Sequence, residues 1–186
     1  QLASAKRKEL PTPRPHQTKA IKDVTGGFES ADRGQMIMAC GTGKTYTTLW
    51  VKEALNAKTT LVLLPSLGLV SQTLWEWTFA SNTPFEALCV CSDETVSKKQ
   101  NTDAIVSSIQ DVSFPTTSDP EDIKKFLKRD VNKVVFCTYH SSPKIAEAQA
   151  HSNSPIFDLV IADEAHRCTG ETATPFTTIL NNSLIK

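Results

Sequence analysis

QMIMACGTGKT, at residues 35–45, is the stretch that decides the fold, because an apolar run leads through a glycine-rich turn into a helical pattern. Residues 35–39 predict a short strand, and residues 44–56, with an apolar stripe at helical spacing, predict a helix. A turn between a strand and a helix directs backbone N–H groups and the positive end of the helix dipole toward a phosphate chain. The stretch therefore predicts a phosphate-binding loop.

The residue types in this loop suit that chemistry. Gly41 and Gly43 let the backbone approach a ligand without a Cβ in the way. Lys44 supplies a positive charge for the β and γ phosphates, and Thr45 offers a hydroxyl to Mg²⁺. The general pattern G-x-x-x-x-G-K-S/T has glycine where this chain has Met38. Position 38 is expected on the strand, so the departure leaves the phosphate cradle intact.

A second stretch, FDLVIADEAH at residues 157–166, is a predicted buried strand that ends in two carboxylates and a histidine. At the carboxyl edge of a parallel sheet, such groups emerge where ligands bind. Asp163 and Glu164 point in opposite directions, so one can face the hydration shell of a metal ion and the other an attacking water. Alone, the pair would be interpreted as a solvated strand end. With the phosphate loop about 120 residues upstream, it predicts a nucleotide site.

Helical and strand patterns alternate along the rest of the chain. This alternation predicts an α/β fold, with a mostly parallel sheet covered by helices on both faces. The polar stretch 92–117 is predicted to be irregular, with a short extended piece near 112–114. The remaining predicted helices lie at 16–29, 67–80, 118–129, 144–150 and 172–184, and the remaining predicted strands at 60–64, 87–91 and 133–139.

Composition excludes several classes of protein. The 186 residues suffice for about one domain with its own core. No apolar run approaches the ~20 residues of a membrane span. The five cysteines are odd in number and lack the paired spacing of a zinc site or a disulfide scaffold. Because no secretory signal is recognisable either, we expect a cytoplasmic protein without a membrane partner.

Charge is balanced overall but uneven along the chain. Twenty Lys and Arg match twenty Asp and Glu, so a polyanion must be bound by a local patch and not by net charge. Residues 1–22 carry six Lys or Arg and one acid, a net charge of +5. With prolines at positions 11, 13 and 15, this predicts an extended basic segment over 1–15 and one folded lobe over 16–186. The segment either contacts phosphates or is a solvated arm.

The two motifs together carry a family resemblance. ACGTGKT at 39–45 and DEAH at 163–166 resemble the first RecA-like lobe of superfamily 2 helicases and translocases. Three further motifs extend the resemblance to roughly residues 11–170: RPHQ at 14–17 (adenine recognition), LLPSLGLVSQ at 63–72 (motif Ia) and FCTYHS at 136–141 (a nucleic-acid motif at a strand end). With DLVIADEAHR at 158–167, the wording is most similar to the DNA-translocating motors of type ISP, or single-polypeptide, and type I restriction-modification enzymes.

The resemblance implies a RecA-like P-loop NTPase lobe. In the family, a strand that ends in motif III lies between the strands that carry the two nucleotide motifs. We expect this chain to be truncated before that strand, which would leave a gap in the centre of the sheet. The second RecA-like lobe, which carries the arginine finger, and any nuclease or methyltransferase domains are expected outside these residues.

The resemblance also implies a role for each motif residue. Gln17 would bind the adenine edge, with Arg14 nearby. Glu164 would polarise the attacking water, and His166 would relay the nucleotide state to the lobe interface. The triphosphate would be held by Gly41, Thr42, Gly43, Lys44 and Thr45. Mg²⁺ would be held by Thr45 and Asp163. The implied catalytic residues are Glu164, Lys44 and His166.

Ser66 and Thr138 are the candidate nucleic-acid contacts, because both lie just past strand ends in motifs of this family. Their hydroxyls would hold phosphates of double-stranded DNA without reading bases. Helix capping is the alternative role for both. In the helix at 67–80, Trp75 is expected in the core with Leu74 and not in base stacking.

The function implied by the resemblance is the ATP-binding lobe of an ATP-dependent DNA translocase or helicase, within a restriction-modification or phage-defence enzyme. ATP and Mg²⁺ are the implied cofactors. Two alternatives stay open: the lobe of a DEAH-type RNA helicase, and a nucleotide-gated nucleic-acid-binding module without hydrolysis. The 186 residues alone are expected to hydrolyse ATP weakly or not at all, since the arginine finger lies outside them.

Overall fold

The computed structural model describes residues 10–91, 114–150 and 155–164. These residues form helices and strands that alternate along the chain, as predicted. The helices are α1 (Pro15–Gly27), α2 (Lys44–Ala54), α3 (Leu67–Ala80), α4 (Pro120–Leu127) and α5 (Ser142–Gln149). The strands are β1 (Thr59–Leu64), β2 (Glu86–Val90), β3 (Thr116–Thr117), β4 (Lys133–Thr138) and β5 (Leu159–Ala162), and a 3₁₀ turn (Tyr139–Ser141) follows β4.

The five strands form one parallel sheet in the order β3-β2-β4-β1-β5. In the register of the sheet, Leu61 lies beside Val135 on one side and Val160 on the other. Because all strands run the same way, their carboxyl ends share one edge of the sheet. The loops after β1, β4 and β5, which carry the predicted motif residues, therefore emerge together.

Side chains of alternate strand residues enter two separate cores, one on each face of the sheet. On one face, α2 and α3 pack against Val62, Phe136 and Cys89. On the other, α4 and α5 pack against Leu61 and Val135. Strands buried on both faces explain the continuous apolar runs in the sequence. The prediction of a parallel sheet covered on both sides is confirmed.

The predicted strand at 35–39 does not form, which is the main correction to the sequence analysis. These residues belong to no helix or strand, and the side chain of Ile37 is 91% exposed. Among the described residues, β5 pairs with β1 alone, so no neighbouring strand is available for 35–39 to pair with. Position 38 is therefore not on a strand.

Element boundaries differ from the predictions by a few residues. Helix α4 was predicted at 118–129 and begins after its cap Asp119, whose carboxylate accepts a hydrogen bond from the Glu121 N–H (2.9 Å). Strand β3 at 116–117 was not predicted. Residues 92–113, which include most of the predicted irregular stretch and residues 112–113 of its extended piece, lie outside the described residues. The predicted helix at 172–184 lies outside the described residues.

No disulfide joins any two of the cysteines that the structure describes. Cys89, Cys91 and Cys137 are buried, while Cys40 is exposed. Burial raises the pKa of Cys89 to about 12, and it also raises that of Cys137, so both stay protonated at neutral pH. Within 10–91, 114–150 and 155–164, no group of three or more His, Cys, Asp or Glu side chains could hold a metal ion, and no helix is long and apolar enough to span a membrane.

The amino end of the sheet is tied together by Asp158, and its replacement tests this contact. One carboxylate oxygen of Asp158 accepts hydrogen bonds from the backbone N–H groups of Lys58 (2.9 Å) and Thr59 (2.8 Å). Asp158→Ala should lower the free energy of unfolding by about 1–2 kcal/mol, measured by urea denaturation. Asp158→Asn is the matched control, because its amide oxygen can still accept both bonds, and it should cost less. Equal losses in the two variants would contradict this role.

Candidate active site

The loop between residue 39 and α2 depends on two glycines with left-handed backbone. Gly41 has φ +75° and Gly43 has φ +83°. Between them, the Thr42 hydroxyl donates to the Ala39 carbonyl at 2.6 Å and closes a tight turn. Residues with a Cβ rarely adopt positive φ, so glycine is required at both positions. The predicted role of the two glycines in shaping the loop is therefore supported by their backbone angles.

Helix α2 places Lys44 at the carboxyl edge of the sheet. Residues 55–58 reverse the chain between α2 and β1, so the helix runs antiparallel to the strands. Leu49 fixes this orientation by packing into the same core as Val62 and Leu64. The first residue of α2 consequently lies at the edge where β5 ends.

Lys44 and Glu164 form an ion pair across this edge. The Lys44 ammonium lies 3.5 Å from a carboxylate oxygen of Glu164. The side chains are 32% and 30% exposed, so both remain accessible from solvent. The phosphate loop and the acidic strand end, about 120 residues apart in the sequence, therefore meet at one site.

Glu164 is aimed at the loop by an unusual backbone turn. Its φ of +56° is left-handed, which costs roughly 1–2 kcal/mol for a residue with a Cβ. The preceding Asp163 stabilises this turn, because its carboxylate accepts a hydrogen bond from the Glu164 N–H at 3.0 Å. The Asp163 N–H in turn donates to the Leu63 carbonyl of β1 at 2.9 Å. Such strain persists where surrounding contacts determine the geometry, and it is common at functional sites.

Gln17 lies against the phosphate loop, in a role the sequence analysis did not foresee. It is 3% exposed, and its amide nitrogen lies 3.1–3.3 Å from the carbonyls of Thr42 and Gly43 and the hydroxyl of Thr47. Its amide oxygen accepts from the Arg14 N–H at 2.9 Å. Both amide hydrogens are thus directed at protein acceptors. Gln17 fixes the loop to α1, and only the second lone pair of its oxygen is left for a base.

A cavity of about 310 Å³ lies between α1 and the segment before the loop. Neither Arg14 nor Gln17 lines it. Arg14 is exposed and contributes its backbone N–H to the start of α1. The lining residues are His16, Lys19, Ala20, Asp23, Ile37, Met38, Ala39 and Thr42. A larger cavity of about 400 Å³ includes Asp158 and lies at the opposite edge of the sheet, away from Lys44.

Oxygen atoms at the site are suited to a hard cation. Thr45 is half-buried, and its hydroxyl makes no hydrogen bond with any described residue. One oxygen of the Asp163 carboxylate is engaged by the Glu164 N–H. Hydroxyl and carboxylate oxygens are the protein ligands that Mg²⁺ prefers. The donor set therefore fits Mg²⁺, while His166, the remaining predicted catalytic residue, lies outside the described residues.

The two candidate nucleic-acid contacts differ in accessibility. Ser66 is half-buried at the start of α3, where its hydroxyl accepts from the Leu69 N–H at 3.3 Å. It acts as the helix cap and stays partly accessible. Thr138 is 1% exposed, and its hydroxyl lies 3.1 Å from that of Ser141. A direct phosphate contact by Thr138 is therefore not available in this conformation, because the hydroxyl is buried.

Two aromatic residues at the site escaped the sequence analysis. Trp77 is fully buried and donates its indole N–H to the Thr45 carbonyl at 2.9 Å. Tyr139 is 1% exposed and donates its hydroxyl to the Asp163 carbonyl at 2.7 Å. The expectation that Trp75 lies in the core was wrong, since Trp75 is 54% exposed. Helical periodicity identified an apolar helix, but it did not identify which tryptophan faces the sheet.

Comparison with known proteins gives the site a family context. The model of the ResIII family, described as "Type III restriction enzyme, res subunit", matches residues 10–184. The protein named "Probable helicase A859L" from African swine fever virus (isolate Tick/South Africa/Pretoriuskop Pr4/1996) is 31% identical over 151 residues. Its counterpart from isolate Pig/Kenya/KEN-50/1950 is 30% identical over 156 residues. These matches cover 81% and 83% of this chain and 16% of each viral protein.

Two solved structures are similar to the whole lobe. The ATP-dependent type ISP restriction-modification enzyme LlaBIII bound to DNA matches with a TM-score of 0.80 and 31% identity, over 96% of this chain and 12% of its own. A nuclease-deletion mutant of the type ISP enzyme LlaGI, in complex with a DNA substrate mimic, matches with a TM-score of 0.74 and 32% identity, over 95% and 17%. This similarity confirms the predicted RecA-like fold.

Replacement of Gly43 tests the loop geometry. A Cβ at this position would lie 2.6 Å from the Gln17 amide nitrogen, and its φ is left-handed. Gly43→Ala should therefore displace the loop and weaken nucleotide binding at least about tenfold, the equivalent of ~1.4 kcal/mol. The affinity can be measured by titration with a fluorescent ATP analogue.

Gly68→Ala is the matched control for this replacement. Gly68 lies in α3, where an added Cβ would meet nothing within 4 Å, and alanine favours a helix. The control should bind nucleotide as the unmodified protein does. If both variants retain full affinity, the clamp between Gly43 and Gln17 does not shape the binding loop.

Proposed function

The chain belongs to the ResIII family, that of the type III restriction enzyme res subunit, and on this premise we propose that it is the ATP-binding lobe of an ATP-dependent DNA translocase or helicase. The chain spans 12–17% of the length of the solved type ISP enzymes and 16% of the viral proteins it matches. The full-length protein would then be a restriction-modification or phage-defence enzyme in the cytoplasm. Nuclease or methyltransferase domains would lie in its other parts.

One observation carries this proposal: the 3.5 Å ion pair between Lys44 of the phosphate loop and Glu164 of the acidic strand end. A lysine for phosphate and a carboxylate for water must lie within one ligand's length of each other to act on the same nucleotide. Incidental motifs would have no reason to meet at one edge of the sheet. The contact therefore favours nucleotide hydrolysis over two unrelated features.

In the proposed reaction, Lys44 changes partners. The γ-phosphate of ATP would compete with Glu164 for the Lys44 ammonium, with the N–H groups of residues 41–45 holding the phosphate chain. Once Lys44 binds phosphate, the Glu164 carboxylate would accept a hydrogen bond from water and orient it toward the γ-phosphorus. Substrate binding would thus release the group that activates the nucleophile.

Thr45 and Asp163 would hold Mg²⁺ through their side-chain oxygens. When bound, Mg²⁺ supplies charge neutralisation of the phosphate oxygens. The chain's own contribution is the orientation of these oxygens, because Asp163 is fixed through its N–H to Leu63 and through its carbonyl to Tyr139.

The base of ATP would lie near the cavity of about 310 Å³ beside α1. His16 and Lys19 line that space, whereas Arg14 and Gln17, the residues predicted for the base, do not. We propose that Gln17 contributes its remaining oxygen lone pair to the adenine edge while it fixes the loop. Arg14 would lie at the border of the base site.

Double-stranded DNA is the proposed track, bound through its backbone. The two solved structures described above are complexes with DNA and with a DNA substrate mimic, which favours DNA over RNA. The half-buried Ser66 cap is the accessible contact, and Thr138 would support the strand end without touching phosphate. A second RecA-like lobe would supply the arginine finger, and His166 would signal to it.

Replacement of Glu164 tests the proposal. In the full-length protein, Glu164→Gln should retain ATP binding and lower the DNA-stimulated ATPase rate at least about 100-fold, because the amide cannot activate water. Lys44→Ala should lose ATP binding as well. Glu147→Gln, on the exposed face of α5, is the matched control and should keep the full rate. A full ATPase rate of Glu164→Gln would contradict the role of Glu164 in activating water. An unmodified protein that binds ATP and DNA without hydrolysing ATP would favour the nucleotide-gated binding module.

The choice of polynucleotide tests the remaining alternative. Steady-state ATPase of the full-length protein should rise with duplex DNA and not with RNA. Stimulation by RNA alone would favour a DEAH-type RNA helicase.

The 186 residues alone test the need for a second lobe. They should hydrolyse ATP at a rate roughly 10³–10⁵-fold below that of the full-length protein, since the arginine finger would be missing. A steady, DNA-stimulated rate from these residues would contradict that expectation.

A further inference from the structure

Two buried aromatic side chains hold the backbone carbonyls of Thr45 and Asp163, the two proposed Mg²⁺ ligands. Trp77 donates to Thr45 at 2.9 Å, and Tyr139 donates to Asp163 at 2.7 Å. Trp77 lies in the helix that begins at Ser66, the proposed DNA contact. Tyr139 follows Thr138, the residue proposed to support the end of β4. All three tryptophans and both tyrosines lie in the described ranges, and only these two donate a side-chain hydrogen bond there.

Trp77 links helix α3 to the first turn of α2. Helix α3 begins at its cap, Ser66, so a displacement at that end moves the helix that carries Trp77. The indole ring is held edge-on to Phe85 (centroids 6.3 Å apart) and Phe136 (5.6 Å). Because the ring cannot turn freely, its N–H follows the position of α3. A displacement of α3 therefore reaches the Thr45 carbonyl directly, through the hydrogen bond from Trp77.

Tyr139 links the end of β4 to the end of β5. These strands are not neighbours, because β1 lies between them. The Tyr139 side chain reaches past the end of β1, packs in the core that contains Leu63, and meets the Asp163 carbonyl. Asp163 is thus held from both sides, by the Leu63 carbonyl at its N–H and by Tyr139 at its carbonyl.

We propose that Trp77 and Tyr139 are positioning residues that couple DNA binding to the geometry of the nucleotide site. This inference rests on the proposed function. If bound DNA shifts α3 or the end of β4, the two hydrogen bonds carry the shift to Thr45 and Asp163. Coupling between two ligands is reciprocal, so bound nucleotide changes the affinity for DNA through the same two bonds. The coupling runs through direct contacts between the two sites and not through distance alone.

Trp77→Phe and Tyr139→Phe remove one donor each while keeping an aromatic ring. Trp50→Phe and Tyr46→Phe are the matched controls, since both residues lie in α2, pack against each other with centroids 5.9 Å apart and donate no side-chain hydrogen bond to a described residue. The controls report the cost of a smaller ring or a lost hydroxyl. Any further loss of coupling in the test variants is then attributable to the two hydrogen bonds.

The measurement is the coupling factor between the two ligands in the full-length protein. Fluorescence anisotropy gives the Kd for duplex DNA with and without a nonhydrolysable ATP analogue and Mg²⁺, and the ratio of the two is the factor, typically about 5–150-fold for coupled sites. Each test variant should bring the ratio at least about threefold closer to one. Each should also raise the Mg²⁺ concentration needed for half-maximal analogue binding. The controls should leave both values unchanged.

The outcomes separate this inference from the proposed function. If the unmodified protein binds neither the analogue nor DNA, the proposed function fails. If it binds both and the test variants keep its coupling ratio and Mg²⁺ dependence, or if its own ratio is one, the inference is overturned. Should Trp77→Phe fail to fold, benzothienylalanine at position 77 retains the ring shape without the N–H and gives the same test.

Discussion

The ion pair between Lys44 and Glu164 depends on the directions of α2 and β5, which bring both residues to the same edge of the sheet. Lys44 lies at that edge because α2 runs antiparallel to β1, and Glu164 lies there because β5 is parallel to β1. An antiparallel β5 would put Glu164 at the opposite edge, away from Lys44. The site is thus a consequence of strand direction, and each motif contributes chemistry only because the fold brings it there.

The phosphate loop keeps its shape without a strand before it. Residues 35–39 are not paired in the sheet, so the loop is held from its other side. Gln17 binds the carbonyls of Thr42 and Gly43, and the left-handed glycines let those carbonyls turn toward it. Because the Gln17 amide is buried, each of these hydrogen bonds is worth more than at the surface, and losing one partner would leave the other unsatisfied.

The charged side chains at the site are paired with one another, so a ligand that binds one of them changes the partner of another. Lys44 is paired with Glu164, and the strained turn at Glu164 is supported by the Asp163 carboxylate. A triphosphate that binds Lys44 alters the environment of both acids at once. Asp163 is tied through its backbone N–H to β1 and through its backbone carbonyl to Tyr139. Under our proposal, these contacts would transmit a change at the nucleotide to the neighbouring strand ends.

The sequence by itself determined the parallel α/β architecture, the bounds of most elements and the two nucleotide motifs. These features depend on local patterns: apolar periodicity, glycine at a tight turn, and the lysine and carboxylates that the chemistry requires. The tertiary structure alone decided that residues 35–39 stay unpaired, that Gln17 clamps the loop, that Thr138 is buried, and that Trp77 and not Trp75 faces the core. Strand pairing, burial and hydrogen-bond partners depend on residues that are distant in the sequence. A local pattern does not specify which of these distant residues will be adjacent in the fold.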